Sequence, residues 1–181
     1  KNHDYIADSE TKKELETLNK SGEKLSAINI KNADMEGVYL VDSDISESDL
    51  TRANFKDASM YGSNLEGSNL FKTNFEGANL KNSNLKGCNL LGANLTNTKL
   101  ENVDWGEDYK VINEIEAEDA VRVGDIEKAR EKYKEAEDVY RAIKISLQSQ
   151  TLGDETGEFF IREMIARRKQ FPKFSLARFG S

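Results

Sequence analysis

The chain is poor in the residues that build covalent or metal-held scaffolds. It has one cysteine and one histidine in 181 residues, so no internal disulfide can form and a zinc site lacks ligands. One proline and twelve glycines do not describe a disordered chain. No apolar run approaches the roughly 20 residues needed to cross a bilayer, and no signal-peptide pattern is present. The first residue is Lys1 rather than Met, as expected of a processed or excised chain. What is abundant is charge: 33% of residues are charged and the net charge is -7. A soluble acidic protein of the cytoplasm is expected.

The charge is uneven. Residues 106–160 carry 8 basic and 15 acidic side chains, whereas residues 161–181 carry 6 basic and 1 acidic. An acidic body with a basic end is a poor general binder of nucleic acid, because phosphate contacts need clustered Lys and Arg.

The strongest pattern is an internal repeat. Every fifth residue from Ile30 to Trp105 is large and apolar, as in Leu70, Phe75, Leu80, Leu85 and Leu90. Two places before each large residue stands a mostly small one, as in Ser68, Thr73, Ala78, Ser83 and Cys88. The residue directly before the large one is Asn or Asp in thirteen of sixteen cases. A period of five suits neither a helix nor a strand. It suits a chain that turns a corner every five residues, with the large and small positions inward and the other three outward. Four such sides close a square coil of twenty residues, and about four coils stack at strand spacing. Glycines such as Gly62 and Gly77 fall where a corner needs positive φ. The Asn and Asp side chains are placed to bond local backbone.

The triplets Ala78-Asn79-Leu80 and Ala93-Asn94-Leu95 resemble the A-[ND]-L-x-x signature of the pentapeptide-repeat family, and the resemblance covers residues 28–105. It implies a right-handed quadrilateral β-helix. It does not imply one function, because the family spans many roles.

Flanking segments complete a β-solenoid plus α architecture. Residues 1–27 are expected to cap the first coil, with Thr11 and Glu14 as a capping box and Leu15 and Leu18 on one apolar face. Trp105 closes the last coil. Residues 106–124 read as an acidic connector with some helix. Residues 125–181 read as a helical hairpin with a basic aromatic tail, Asp125 being the N-cap of its first helix. Phe159, Phe160, Met164 and Ile165 supply the apolar residues of the second helix, with Tyr140 facing Phe159 or Phe160. Residues 136–170 resemble a tetratricopeptide-like helical pair. They also resemble a segment that precedes a channel-like membrane domain in some microbial pentapeptide-repeat proteins. That second resemblance implies the cytosolic part of a larger protein, at the inner face of a membrane.

Candidate functional residues are few. Outward Phe71 stacks on Leu91, and Val41 on Tyr61, each pair twenty residues apart. Contact with a protein partner is one reading of these pairs, and docking of the chain's own helices on Phe71 and Leu91 is preferred to it. Arg167, Arg168, Lys169, Phe171, Lys173, Phe174, Arg178 and Phe179 form a tail suited to an anionic membrane surface. Its plain alternative is a helix end followed by packed aromatics. Asp34, Glu36, Asp42, Asp44, Glu47 and Asp49 lie together with no basic residue among them. The family resemblance makes an acidic DNA mimic acting on a type II topoisomerase the second hypothesis. No catalytic, cofactor or metal site is expected: Cys88 falls in the inward series without a His partner, and the carboxylates lie along open faces rather than in a cleft.

Overall fold

A computed structural model describes residues 9–150 and 153–171. From Asn29 to Asp104 the chain winds in coils of twenty residues. Twelve parallel bridges join residue i to residue i+20, among them Asn54 to Asn74 and Asn74 to Asn94, spaced five residues apart along the chain. Each side of a coil contributes a single bridging residue between two corners, so the sheet contacts are isolated bridges rather than continuous strands.

The local geometry follows from the five-residue unit. The N–H of Leu50 donates to the Asn69 carbonyl of the next coil at 3.0 Å, and that of Asn54 to the Ala33 carbonyl of the previous one at 2.8 Å. Between them the Ala53 N–H donates back to the Leu50 carbonyl at 2.9 Å, closing a four-residue turn. The third residue of that turn has positive φ. At Gly77 this is free of strain, but Arg52, Glu47 and Lys72 hold φ of 55–58° at equivalent corners. Bridge-position side chains brace the corners: the Oδ1 atoms of Asn54, Asn74 and Asn94 accept from the backbone N–H two residues on, at 3.1–3.2 Å. The same amides run up one face as a ladder, Asn74 to Asn54 at 3.0 Å and Asn94 to Asn74 at 2.9 Å.

The interior is filled by side chains. Met35, Leu40, Ile45, Leu50, Phe55, Met60, Leu65, Leu70, Phe75 and Leu80 are fully buried. Phe55 and Phe75 stack with centroids 5.6 Å apart. Burial of each large side chain contributes roughly 1.5–3 kcal/mol before entropy is subtracted. The small inward positions admit hydroxyls because each finds a carbonyl: Thr73 Oγ1 donates to Leu50 O, and Thr98 Oγ1 to Phe75 O, both at 2.8 Å.

Helices close both ends. Helix α1, Ser9–Lys20, covers the first coil with Leu15 and Leu18. Its start at Ser9 places Thr11 inside the helix and buried, so the expected capping box is not formed there. Its polar side chains stand in for a missing coil. Glu16 accepts the Tyr39 N–H at 2.9 Å, Asn19 donates to the Val41 carbonyl at 3.0 Å, and Lys12 donates to the Glu36 carbonyl. Those are the groups a preceding coil would have paired.

At the other end three helices pack together. After Trp105 and a single tight turn at Glu107–Tyr109 come α2, Ile112–Arg122, α3, Ile126–Ser149, and α4, Gly153–Lys169. The acidic stretch read as a connector is thus largely helix α2, packed antiparallel to α3 through Ala117, Ala120, Ala129 and Tyr133. Asp125 caps α3 by accepting the Lys128 N–H at 3.0 Å. The end of α3 satisfies the last coil. Gln150 accepts the Leu100 N–H at 2.9 Å and donates to the Thr98 carbonyl at 2.7 Å, while Ser146 donates to the Leu95 carbonyl at 2.8 Å. Edges that would otherwise template aggregation are covered by side chains at both ends.

Candidate interaction surfaces

The coil interior is occupied by buried side chains, so recognition falls to its outward positions and to the helical unit. Some of the outward charges on the coil are paired between coils. Lys56 meets Glu76 at 3.0 Å and Lys81 meets Glu101 at 2.6 Å, each pair twenty residues apart. Lys86 turns to Asp104 at 3.6 Å, while Glu66, twenty residues before Lys86, accepts from Asn84 at 3.0 Å.

The acidic residues between 34 and 49 do not form one face. Their places in the twenty-residue coil put Asp34, Asp44 and Asp49 on three different sides, with Asp42 and Glu47 at corners. Several are engaged. Asp34 accepts the Asn54 amide at 2.9 Å, and Asp49 meets Lys31 at 2.8 Å. Hydrogen bonding from the Ser46 hydroxyl holds Asp44 below the usual carboxylate range, with burial opposing and Lys24 assisting. At Asp49 burial works the other way, yet Lys31 and Thr51 still keep its carboxyl low.

Of the two apolar pairs, Phe71 and Leu91 are half-buried; the Lys72 ammonium lies 5.1 Å from the Phe71 ring and Leu91 packs on the core. The bonds that tie the helices to the coil go to Leu95, Thr98 and Leu100, so they dock on the open end of the column rather than on the Phe71 face. Val41 is half-buried and Tyr61 is 42% exposed, its hydroxyl accepting from the Asn82 amide. Tyr39, not singled out from the sequence, is 49% exposed beside Val41. The signal was present: Tyr39 is one of the three residues that break the Asn/Asp rule.

Within the helical unit Phe159 is the hub. Fully buried, it meets Trp105 edge-on at 5.2 Å and Tyr109 at 5.6 Å, and lies 6.1 Å from Tyr140. Phe160 and Met164, expected to pack within the hairpin, face outward at 53% and 49% exposure. The inward stripe of α4 is instead Phe159, Glu163 and Ala166. Glu163 accepts from Arg141 at 3.1 Å and also binds Lys144, and these contacts fix which side of α4 turns in.

A second polar set lies between α2, α3 and α4, and sequence reading missed it. Glu114 is fully buried and takes a hydrogen bond from the Tyr140 hydroxyl at 2.5 Å. Lys169 reaches Glu114 at 3.2 Å and Glu118 at 3.1 Å, and Arg162 lies 3.7 Å from Glu114. Burial and the Glu114 carboxylate both push the Tyr140 hydroxyl well above its ordinary value, so it stays a donor. Burial raises Glu118, but Lys110 and Lys169 outweigh it and hold the carboxyl low.

Lys169 is therefore committed to Glu114 and Glu118, whereas Arg167, Arg168 and Phe171 are exposed without such a partner among the described residues. Lys173, Phe174, Arg178 and Phe179 lie outside the described residues. Cys88 is buried, its Sγ 2.9 Å from the Leu65 carbonyl, and burial pushes its thiol up to about 12. Among the described residues no group of His, Cys, Asp or Glu is placed to hold a metal ion, and no helix is long and apolar enough to cross a membrane.

Stacked five-residue corners, filled by side chains and capped by helices, define a repeat column. Residues 33–70 and 68–104 match the family model for pentapeptide repeats in eight copies, and this part of the chain belongs to that family. No curated protein matches the chain. Among solved structures, it is similar to a pentapeptide repeat protein of the cyanobacterium Cyanothece 51142 at 33% identity, covering 42% of this chain and 55% of that one, with TM-score 0.25. A pentapeptide repeat protein of the Arabidopsis thaliana thylakoid lumen is 28% identical, over 44% of this chain and 51% of that one, with TM-score 0.25. One from Nostoc is 29% identical, over 52% and 77%, with TM-score 0.28. The chain spans about half the length of the first two.

Proposed function

We propose that the chain is a non-catalytic protein-interaction module: a right-handed quadrilateral β-helix serving as a rigid column, with partner contact on its outward aromatic face. The observation that carries this reading is the exposed pair Tyr39, at a bridge position, and Tyr61, at a corner, with half-buried Val41, next to helix α1. Aromatic side chains with a polar tip lose little entropy on binding, and they are the residues that anchor protein interfaces. The Phe71 and Leu91 pair, ten residues on and so on the opposite side of the coil, is a separate contact candidate, with the Lys72 cation over the Phe71 ring.

Photo-crosslinking tests this. A light-activated residue at position 39 or 61, expressed in the native host, should yield a discrete protein adduct, while one at position 86 should not. Absence of an adduct from both 39 and 61 would remove the face from consideration.

Topoisomerase control by DNA mimicry is the less favoured reading, because the acidic residues point to different sides and are partly paired. A gyrase supercoiling assay unaffected by micromolar protein would discard it. Attachment to an anionic bilayer draws on Arg167, Arg168 and Phe171, but Lys169 is taken up by Glu114 and Glu118.

A further inference from the structure

Helix α4 is apolar on the side that faces away from its own unit. Phe160, Ile161, Met164 and Phe171 are 49–66% exposed and, with Ile165 and Arg168, line an open groove of about 460 Å³. A Cβ built on Gly157 would meet nothing within 4 Å, so the start of this face is open as well. Charge on α4 is sorted by direction. Arg162 and Glu163 turn inward, Lys169 reaches back to Glu114, and all three are paired. Glu158, Arg167 and Arg168 are exposed and have no ion-pair partner among the described residues.

The unpaired charges are also sorted along the axis, with acid near the start of the helix and base near its end. Glu158 and Arg168 stand ten residues apart, about 15 Å at helical rise. The apolar residues 160, 161, 164 and 165 are centred between them. A parallel neighbour of the same sequence would stack like charges. An antiparallel one would bring Glu158 alongside Arg168 at both ends while Ile161 meets Met164 in the middle. It would also oppose the two helix dipoles.

We propose that α4 is a self-association surface, pairing antiparallel with α4 of a second copy across a two-fold axis that passes between Ile161 and Met164. This geometry makes the contact isologous and closed, so it yields dimers and not filaments. A single helix face is smaller than the roughly 800 Å² per partner of a standard interface, so the contact is a weak, reversible one. The surface is separate from Tyr39 and Tyr61, so the partner contact proposed above can fail without affecting it.

Sedimentation equilibrium of the full chain between about 1 and about 200 µM should follow a monomer–dimer curve. Ile161→Asp with Met164→Asp should weaken the dimer at least about tenfold while leaving the circular dichroism spectrum unchanged. Phe171→Ser, at the most exposed of these side chains, gives a milder check in the same direction. Glu158→Arg should weaken it roughly threefold, and adding Arg168→Glu should restore it. A wild-type chain that stays monomeric throughout overturns the proposal, as does a dimer indifferent to the paired Asp substitutions. A charge reversal that the second exchange fails to rescue overturns the antiparallel register. A monomer that sediments with phosphatidylserine vesicles would assign the face to a bilayer. A monomer with slow amide exchange across residues 160–165 would assign it to residues 172–181. Either result contradicts the proposal.

Discussion

In the coil, the buried polar groups are hydroxyls, at Ser43, Ser48, Ser63, Ser68, Thr73, Ser83 and Thr98. In the helical unit they are Asn113, Ser146, whose hydroxyl serves a coil carbonyl, and three carboxylates, Glu114, Glu137 and Glu163. The coil turns its backbone every five residues and leaves carbonyls inside, which a hydroxyl satisfies without charge. The helices satisfy their own backbone internally, so their buried polar groups must be paired by side chains, chiefly Arg141, Lys144, Lys169 and Tyr140. One region depends on shape and period, the other on charge pairing as well. The two should break under different insults.

The largest effect is expected from Leu80→Lys. An unpaired ammonium placed among fully buried neighbours should cost more than about 4 kcal/mol and prevent folding. Lys81→Leu, one residue on, should cost less than about 1 kcal/mol, since it removes a surface pair. Thermal melts of both variants compare them directly; similar losses would dissolve the distinction between inward and outward positions.

Next is Phe159→Ala, expected to cost about 3–5 kcal/mol. Trp105, the sole tryptophan, touches that ring, so its fluorescence should report loosening of the junction at a temperature where the coil remains folded. Tyr140→Phe should follow at about 1–3 kcal/mol, because it strands the buried Glu114 carboxylate and the Val111 N–H that now bonds the hydroxyl.

Acid sharpens the contrast further. Asp44, Asp49 and Glu118 have depressed values in the fold, so their stabilisation is complete above the ordinary carboxylate range and is lost as pH falls through the depressed values. Glu155 has the opposite sign: burial raises its carboxyl, so ionisation at neutral pH disfavours the fold and protonation relieves it. Glu155→Gln should therefore raise the melting temperature at pH 7 and change it less at pH 4. Equal shifts at both values would show that Glu155 does not feel its burial.

The smallest effect is expected from Cys88→Ser. Ser63, Ser68 and Ser83 occupy the same small inward slot, and the Leu65 carbonyl already awaits a donor there. The change should stay within about 1 kcal/mol, and the native thiol should resist alkylation until the protein unfolds.

The coil could be read almost residue by residue because its period fixes every side chain's direction. Leu80 points in and Lys81 points out by counting alone, and the i+20 stacking of Lys56 on Glu76 follows from the same count. The period did not foretell the corners held at positive φ by Glu47, Arg52 and Lys72, since nothing local in those residues prefers that conformation. In the helical unit the spacing of apolar residues located α3, but it could not choose between Phe159 and Phe160. That choice depends on Trp105 and Tyr109, 54 and 50 residues before Phe159 in sequence. The burial of Glu114 was equally illegible, because its partners Tyr140, Arg162 and Lys169 come from two other helices. The Tyr39 and Tyr61 face was half visible: the stacking of Val41 with Tyr61 follows from the period, and the exposure of Tyr39 does not.

Covalent capture between coils addresses the column itself. In a Cys88→Ser background, Lys56→Cys with Glu76→Cys should be joined rapidly by a cross-linker of about 5 Å, the spacing of neighbouring strands. Lys56→Cys with Glu66→Cys, ten residues apart on opposite sides of one coil, should not be joined. Preferential capture of the ten-residue pair would contradict a twenty-residue coil.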